Sequence, residues 1–256
     1  MPTISSGSGP GLVLIPGGLR RAHHYAAFAA RLAGIRTVHV MDRPPGVPYT
    51  MERELEETAA VLDATGAREV FGHSLGGLVA LNLARTRRLD KLVLYEAAVN
   101  LGGAIPTDFL PDLERQVAAG RDATAMATFL AGTGLAPIGP LPMPLWTAFA
   151  WIMLHTPGGR ETRAMLAALP AELRAAAGSE SDTDGYAAIT APTLILSGTR
   201  SPEWLLRIQV ALTELIPGAA YTCSPGLDHN APDMNAPGTV ADLVRAFLTT
   251  GGARAR

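Results

Sequence analysis

The chain has 256 residues, of which 48% are hydrophobic and 17% charged, and its net charge is −2. This length and apolar content predict one large domain with a buried core. A nearly neutral chain without a dense cluster of Lys and Arg does not favour a nucleic acid partner. Its apolar runs are too short to cross a membrane, because a spanning helix needs about 20 apolar residues.

The N-terminus and the cysteine content bear on localisation. The opening MPTISSGSGPG has neither a basic start nor an apolar core, so it does not resemble a secretory signal. The single cysteine, Cys223, cannot form an internal disulfide, which fits a reducing compartment. We therefore expect a cytoplasmic protein with a disordered C-terminal tail, GGARAR. The sequence leaves a homodimer open.

Six short apolar runs predict a buried sheet. In chain order they are GLVLI, RTVHVM, EVF, KLVLY, TLIL and AYTC. Unbroken runs of this kind fit parallel strands that are covered on both faces. Between them, MERELEETAAVLDATG places Met51, Leu55, Ala59 and Leu62 on one helix face and predicts a solvated face for its four glutamates. The alternation predicts an α/β fold with a doubly wound, mostly parallel sheet.

The alternation stops within residues 100–188. This segment has helical patterns such as ETRAMLAALPAELRAAA and the Pro-rich stretch APIGPLPMPLW. We expect a helical insertion that lies over the carboxyl ends of the strands, where ligands bind in open α/β sheets, and acts as a lid. The core is then residues 1–99 and 189–256. The apolar run PMPLWTAFAWIML in the insertion suits a small hydrophobic substrate.

Ser74 lies in GHSLG, which satisfies the pattern G-x-S-x-G. The predicted strand EVF precedes it and the apolar helical run LVALNLA follows it. In that context the serine sits on a strained turn, and the N-terminus of the following helix points at the reacting oxygen. A Gly-rich packing turn is the alternative interpretation. The context favours Ser74 as a nucleophile and His73 as a variable residue of the turn.

These motifs resemble those of the α/β-hydrolase family over nearly the whole chain. LVLIPGG is similar to the first-strand loop, GHSLGG to the nucleophile turn, DRPPG to a D-R-x-G loop and PGLDH to the late histidine loop. KLVLYEAA with TLILSGTRSP resembles bacterial hydrolases that have Y-E-P-P and G-x-x-S-P at those places. The resemblance implies the order Ser, acid, His, with His229 as general base. It also implies that the backbone N–H groups of Gly18 and Leu75 form the oxyanion hole.

The acid departs from the commoner pattern of that family. An aspartate usually follows the strand TLILSG, but this chain reads TRSP there. Some family members take the acid from the strand after the nucleophile, and Glu96 closes that strand here. Glu203 and Asp228 are the alternatives, although Glu203 opens a helix and the side chain of Asp228 is expected to diverge from its neighbour His229. The prediction is therefore Glu96.

The expected function is a serine hydrolase that cleaves an ester or related acyl bond through an acyl-enzyme. No cofactor and no metal site is expected. Two alternatives stay open. The first is an enzyme of the same fold that cleaves carbon–carbon bonds, or catalyses cyclisation or elimination, with the same Ser–His pair. The second is a ligand-binding member that has lost catalysis.

Overall fold

The computed structural model describes residues 1–136, 138–179 and 183–250. Seven strands form one sheet in the order β1-β3-β2-β4-β5-β6-β7. They are β1 (Thr3–Gly7), β2 (Gly11–Ile15), β3 (Thr37–Met41), β4 (Glu69–His73), β5 (Lys91–Tyr95), β6 (Thr193–Gly198) and β7 (Ala220–Ser224). All neighbouring pairs are parallel except β1 with β3. The predicted doubly wound, mostly parallel sheet is confirmed.

Within the described residues, eleven α-helices accompany the sheet. They are α1 (Ala26–Leu32), α2 (Met51–Thr65), α3 (Leu75–Thr86), α4 (Leu110–Ala118), α5 (Asp122–Thr133), α6 (Met143–His155), α7 (Pro157–Met165), α8 (Leu169–Ala177), α9 (Thr183–Ala187), α10 (Glu203–Leu215) and α11 (Pro237–Thr249). Side chains of α2, α3 and α10 pack on one sheet face, and those of α1 and α11 on the other. Both faces are therefore covered, as the unbroken apolar runs predict.

Strand β1 has no counterpart among the predicted strands. All five of its residues are exposed, and it pairs antiparallel with β3 at the edge of the sheet. Its sequence TISSG has no apolar run, because this strand is held by backbone hydrogen bonds instead of by burial. Sequence periodicity cannot detect such a strand.

Helices α4 to α9 lie between β5 and β6, and α4 to α8 share an apolar core of their own. Its buried members include Leu113, Met126 and Trp146. Among the described residues of this cluster, Leu19 alone comes from outside the insertion, from the loop after β2. The helical content agrees with the sequence pattern, while the role of the segment as a lid and its boundaries stay predictions.

The prediction that all four glutamates of α2 lie on a solvated face is wrong for one of them. Glu54 is only 4% exposed, and its Oε1 accepts a hydrogen bond from Arg43 Nε at 2.6 Å. The loop that follows β3 brings the Arg43 guanidinium against the helix, which makes burial of the carboxylate tolerable. The tail GGARAR lies outside the described residues. Among those described, no helix combines the length and the apolar character needed to cross a membrane.

Candidate active site

Ser74 occupies a tight turn between β4 and α3. Its backbone angles are φ 54° and ψ −118°, a conformation that costs free energy for any residue with a side chain. The flanking glycines allow the turn, because a Cβ atom at Gly72 would lie 2.5 Å from Gly76 O and one at Gly76 would lie 2.2 Å from Ile15 O. The G-x-S-x-G pattern therefore reflects close backbone contacts on both sides of the serine.

The structure brings Ser74, His229 and Glu96 together in one chain of hydrogen bonds. His229 Nε2 lies 3.1 Å from Ser74 Oγ, and His229 Nδ1 lies 2.8 Å from Glu96 Oε2. An ionised carboxylate can only accept, so Nδ1 carries the proton and the Nε2 lone pair faces the serine hydroxyl. In this tautomer the imidazole can take the proton of Ser74.

Glu96 is held by one donor at the end of β6 and by another in the loop where the aspartate is missing. The side chain is completely buried, and the residue has a left-handed φ of 47° directly after β5. Its Oε1 accepts hydrogen bonds from Gly198 N–H at 2.9 Å and from Ser201 Oγ–H at 2.5 Å. The sequence analysis used the GTRSP segment as a point of resemblance and as a departure from the commoner acid pattern, but gave no role to its serine. Its serine turns out to bind the carboxylate.

The two alternative acids lie elsewhere. The Glu203 side chain is 82% exposed and pairs with Arg207 on the surface of α10. The Asp228 carboxylate accepts hydrogen bonds from Asn230 N–H and from Asn235 Nδ2, at 2.9 and 2.8 Å. The Asp228 carboxylate therefore stabilises the loop that carries His229, and no hydrogen bond joins it to the imidazole.

The two predicted oxyanion donors come from the start of α3 and from the loop after β2. Leu75 is the first residue of α3, so its N–H has no acceptor within the helix. Gly18 belongs to residues 16–19, which follow β2 and are called here the 16–19 loop. At Gly17 in this loop a Cβ atom would lie 3.3 Å from Ser74 Cβ, so the loop passes directly over the serine. The oxyanion role of the two N–H groups stays a prediction.

A second chain of hydrogen bonds joins the 16–19 loop to the His229 loop. Gly17 N–H donates to Tyr25 Oη at 3.0 Å, and Tyr25 Oη lies 2.6 Å from His73 Nδ1. His73 Nε2 lies 2.9 Å from the backbone oxygen of His229, which can only accept. His73 is therefore protonated on Nε2 and accepts the Tyr25 hydroxyl proton on Nδ1. Burial lowers the pKa of His73 well below its usual value, so it stays neutral.

Sequence reasoning treated His73 as a variable residue of the turn and missed this role. The G-x-S-x-G pattern leaves that position free, and Tyr25 is far from it in the chain. Only the folded arrangement shows that the two side chains meet.

Glu172 of α8 places a buried carboxylate against the 16–19 loop. A Cβ atom at Gly18 would lie 2.7 Å from Glu172 Oε2, and Glu172 as a whole is only 4% exposed. Burial raises the pKa of Glu172 to about 7, while Arg43 and the Leu19 N–H oppose the rise and Glu54 adds to it. The insertion thus contributes an ionisable group beside a predicted oxyanion donor.

His23, His24 and Glu161 form the one described group whose geometry could admit a metal ion. Two contacts oppose that use. Arg21 Nη1 already binds Glu161 Oε1 at 3.0 Å, and Arg21 N–H donates to His24 Nδ1 at 2.9 Å. A neutral imidazole that accepts on Nδ1 carries its proton on Nε2, so that nitrogen has no lone pair for a metal. The group serves better as a polar contact between the core and α7.

Comparison with known proteins points to one family. Residues 12–243 match the family described as the alpha/beta hydrolase family. An alpha/beta hydrolase from Sphaerobacter thermophilus is 30% identical, with a TM-score of 0.79 and coverage of 97% of this chain and 96% of that chain. No protein of curated function matches significantly.

Two further solved structures share the fold at lower identity. An N-acyl homoserine lactone degrading enzyme is 20% identical, with a TM-score of 0.71 and coverage of 96% and 95%. The enol-lactonase from Burkholderia xenovorans is 19% identical, with a TM-score of 0.64 and the same coverage.

The raised pKa of Glu172 predicts a pH-dependent stability. The folded state holds the proton up to about pH 7, whereas the unfolded chain releases it near the ordinary value of 4.5. The free energy of unfolding therefore falls as pH rises between these values, by as much as about 3 kcal/mol. Glu172→Gln removes this fall, so the stability of the mutant relative to wild type should be greater at pH 8 than at pH 5.

Urea denaturation at both pH values measures this difference. Glu114→Gln is the matched control: Arg174 lowers the pKa of Glu114 below its usual value, so this carboxylate is ionised in both the folded and the unfolded chain at pH 5 and at pH 8, and its removal should change stability equally at the two values. An identical difference between Glu172→Gln and wild type at both pH values would contradict the assignment.

Proposed function

Because the chain belongs to the alpha/beta hydrolase family, we propose that it is a serine hydrolase that cleaves an ester or related acyl bond. The observation that carries the proposal is the chain from Ser74 Oγ through His229 to Glu96, with separations of 3.1 and 2.8 Å. The strained backbone of Ser74 supports it, since such strain is typical of functional residues. The substrate is a small molecule with a hydrophobic body.

The proposed reaction has two halves. Ser74 Oγ attacks the carbonyl carbon while its proton passes to His229 Nε2, and Glu96 stabilises the imidazolium that forms. The N–H groups of Gly18 and Leu75 bind the negative oxygen of the tetrahedral intermediate. The imidazolium then protonates the leaving alcohol, which leaves an acyl group on Ser74. Water, deprotonated by His229, releases the acid and restores the serine.

We propose that helices α4 to α9 act as a lid over this site. The contacts of the 16–19 loop with Leu19 in the insertion core and with Glu172 on α8 support that role. The insertion contacts the loop that carries Gly18, one of the proposed oxyanion donors. When the insertion covers the site, it can exclude water from the reacting carbonyl.

The first prediction concerns the nucleophile. Ser74→Ala should abolish hydrolysis of p-nitrophenyl esters without loss of the fold. Among the described hydrogen bonds, Ser74 Oγ is the only partner of His229 Nε2, so the variant keeps the base but has no nucleophile for it. A fluorophosphonate probe followed by intact-mass measurement should label the wild type once and Ser74→Ala not at all. Wild-type protein that resists the probe would favour a non-hydrolytic or inactive member of the fold.

The second prediction concerns the acid. Glu96→Gln keeps the size of the side chain but removes the charge that stabilises the imidazolium. The corresponding change in serine proteases costs about 10⁴ in kcat, and we expect a loss on the order of 10³ here. Glu203→Gln and Asp228→Asn serve as matched controls, because neither carboxylate contacts His229. The measurement is the rate at saturating substrate, with melting curves for all three variants to check folding. A larger loss of activity in either control than in Glu96→Gln would refute the assignment of Glu96 as the acid.

The third prediction concerns the Tyr25–His73 chain. Tyr25→Phe leaves Gly17 N–H and His73 Nδ1 without their partner, so the 16–19 loop should lose its fixed position over Ser74. We expect kcat to fall roughly 10-fold with little change in KM, since the lost interaction supports the transition state. Thr58→Val removes a different buried hydroxyl, bound to Glu54 O, and should reduce stability alone. Equal effects of the two variants on kcat would contradict a positioning role.

A further inference from the structure

Helix α6 of the insertion has an outer face that is both exposed and apolar. Of the ten large apolar side chains that are exposed in the described chain, seven lie within residues 138–152. No Asp, Glu, Lys or Arg occurs in residues 123–159, a segment that includes the whole of α6. A helix that is apolar on every side is normally buried on every side. The outer face of α6 therefore lacks the polar side chains that normally meet water.

The inner face of α6 is fixed in the apolar core of the insertion. Trp146, Ala150 and Leu154 recur every four residues and are at most 4% exposed. On the outer side, the Trp151 ring stacks on His155 with 4.1 Å between the ring centroids, and His155 Nδ1–H donates to Trp151 O at 2.7 Å. The helix thus presents its outer side chains on a fixed support, which reduces the entropy lost when a partner binds.

The outer residues have the spacing of a seam between two paired helices. Leu145, Ala148 and Ile152 follow one another at intervals of three and four residues, as the a and d positions of a coiled coil do. By helix periodicity Phe149 and Trp151 flank this seam on its two sides. The small side chain of Ala148, which is also exposed, allows a second helix to approach closely. The seam therefore fits the apolar face of another helix.

The charge pattern favours a second copy over a membrane surface. Helices that lie on a membrane combine an apolar face with Lys and Arg, which attract the lipid headgroups. Helix α6 has neither residue, and Arg163 of the next helix is already paired with Asp122. In a dimer with a twofold axis a helix lies against its own copy, so a charge near the axis would meet a like charge. The uncharged face of α6 avoids this repulsion.

Within the described chain, the outer face of α6 is the only helix face that matches itself in this way. The other exposed large apolar side chains are Ile4 on β1, Val210 on α10 and Met234 after β7, and they lie apart from one another. A second apolar helix face is therefore supplied by another copy of α6.

The apolar area of the face is sufficient for a small dimer interface. Its large side chains are 39–61% exposed, and they are Met143, Leu145, Phe149, Trp151 and Ile152. Side chains of this size, exposed to this extent, offer on the order of 500 Å² of apolar surface, near the upper end for a patch on a monomer. Two such faces would bury about 1,000 Å², which is close to the minimum for a specific interface. We therefore expect dissociation in the micromolar range.

We propose that the chain forms a homodimer in which α6 packs against α6 of a second copy, around a twofold axis that crosses the helix near Ala148. Such an axis makes the two helices antiparallel and places Ile152 beside Leu145 of the partner subunit. The interface consists of residues of the insertion, so it does not depend on the proposed hydrolysis.

Sedimentation velocity between roughly 1 and 100 μM protein tests the dimer. At the upper concentration the wild type should have twice the mass of one 26.7 kDa chain. Ile152→Glu and Leu145→Glu should each weaken dimerisation at least roughly 100-fold, because each buries two unpaired carboxylates in an apolar interface. Circular dichroism checks that both variants keep the fold, as expected for exposed positions.

Val210→Glu is the matched control for these variants. Val210 is also an exposed apolar residue in the middle of a helix, but it lies on α10, so this variant should dimerise like the wild type. A wild type that stays monomeric at the upper concentration would overturn the proposal. A dimer that both α6 variants retain would overturn it as well.

Mixing Ile152→Glu with Leu145→Lys tests the twofold arrangement. Each variant alone should be monomeric, whereas their equimolar mixture should recover the dimer, because the introduced carboxylate then lies beside the introduced ammonium group. A mixture that stays monomeric, with a dimeric wild type, would overturn the axis near Ala148.

Vesicles of phosphatidylcholine test the competing partner. The wild type should remain in the supernatant when the vesicles are pelleted, because its apolar face is covered by the second copy. A monomeric wild type that pellets with the vesicles, together with an Ile152→Glu variant that does not, would identify the face as a lipid-binding surface and overturn the dimer.

Discussion

The Glu96 carboxylate has no access to water, so it depends on the donors that surround it. A buried charge is tolerated only when hydrogen bonds replace those of the solvent. Glu96 receives them from Gly198 at the end of β6, from Ser201 in the loop after β6 and from His229 in the loop after β7. Satisfying one carboxylate therefore fixes the relative positions of β5, β6 and the imidazole. The distance of His229 to Ser74 follows from that arrangement.

The 16–19 loop is the second fixed part of the site, and its supports come from both the core and the insertion. Tyr25 accepts from Gly17 N–H, while Arg43 donates to Gly17 O at 2.9 Å. Leu19, with a left-handed φ of 57°, inserts its side chain into the apolar core of the insertion. The insertion therefore adds an apolar contact to a loop that the core already holds by hydrogen bonds.

The sheet and its helices could be predicted because burial on both faces leaves a strong apolar signal. The seven-stranded sheet includes all six predicted strands, and the family resemblance is confirmed. The nucleophile turn was visible for a similar reason, since close backbone contacts demand glycine at Gly72 and Gly76. Edge strand β1 left no such signal, because its residues are exposed and only its backbone is paired.

Contacts between distant side chains were the part that the sequence could not supply. Glu96 was predicted beside His229 by its place at the end of a strand, but the hydroxyl of Ser201 that holds it was not. Glu54 was assigned to a solvated face because helix periodicity says nothing about an arginine that arrives from another loop. The meeting of Tyr25 with His73 and the position of Glu172 against Gly18 are likewise products of the tertiary fold.

The position of Glu96 directly after β5 has a consequence for the order of folding. Ser74 and Glu96 both belong to the β4-α3-β5 unit, whose strands pair directly. Contacts that are close in sequence cost little chain entropy and form early. Only His229 must arrive from the far end of the chain. Closure of that last segment, tied down through Asp228 and Tyr95, is therefore the step that completes the proposed triad.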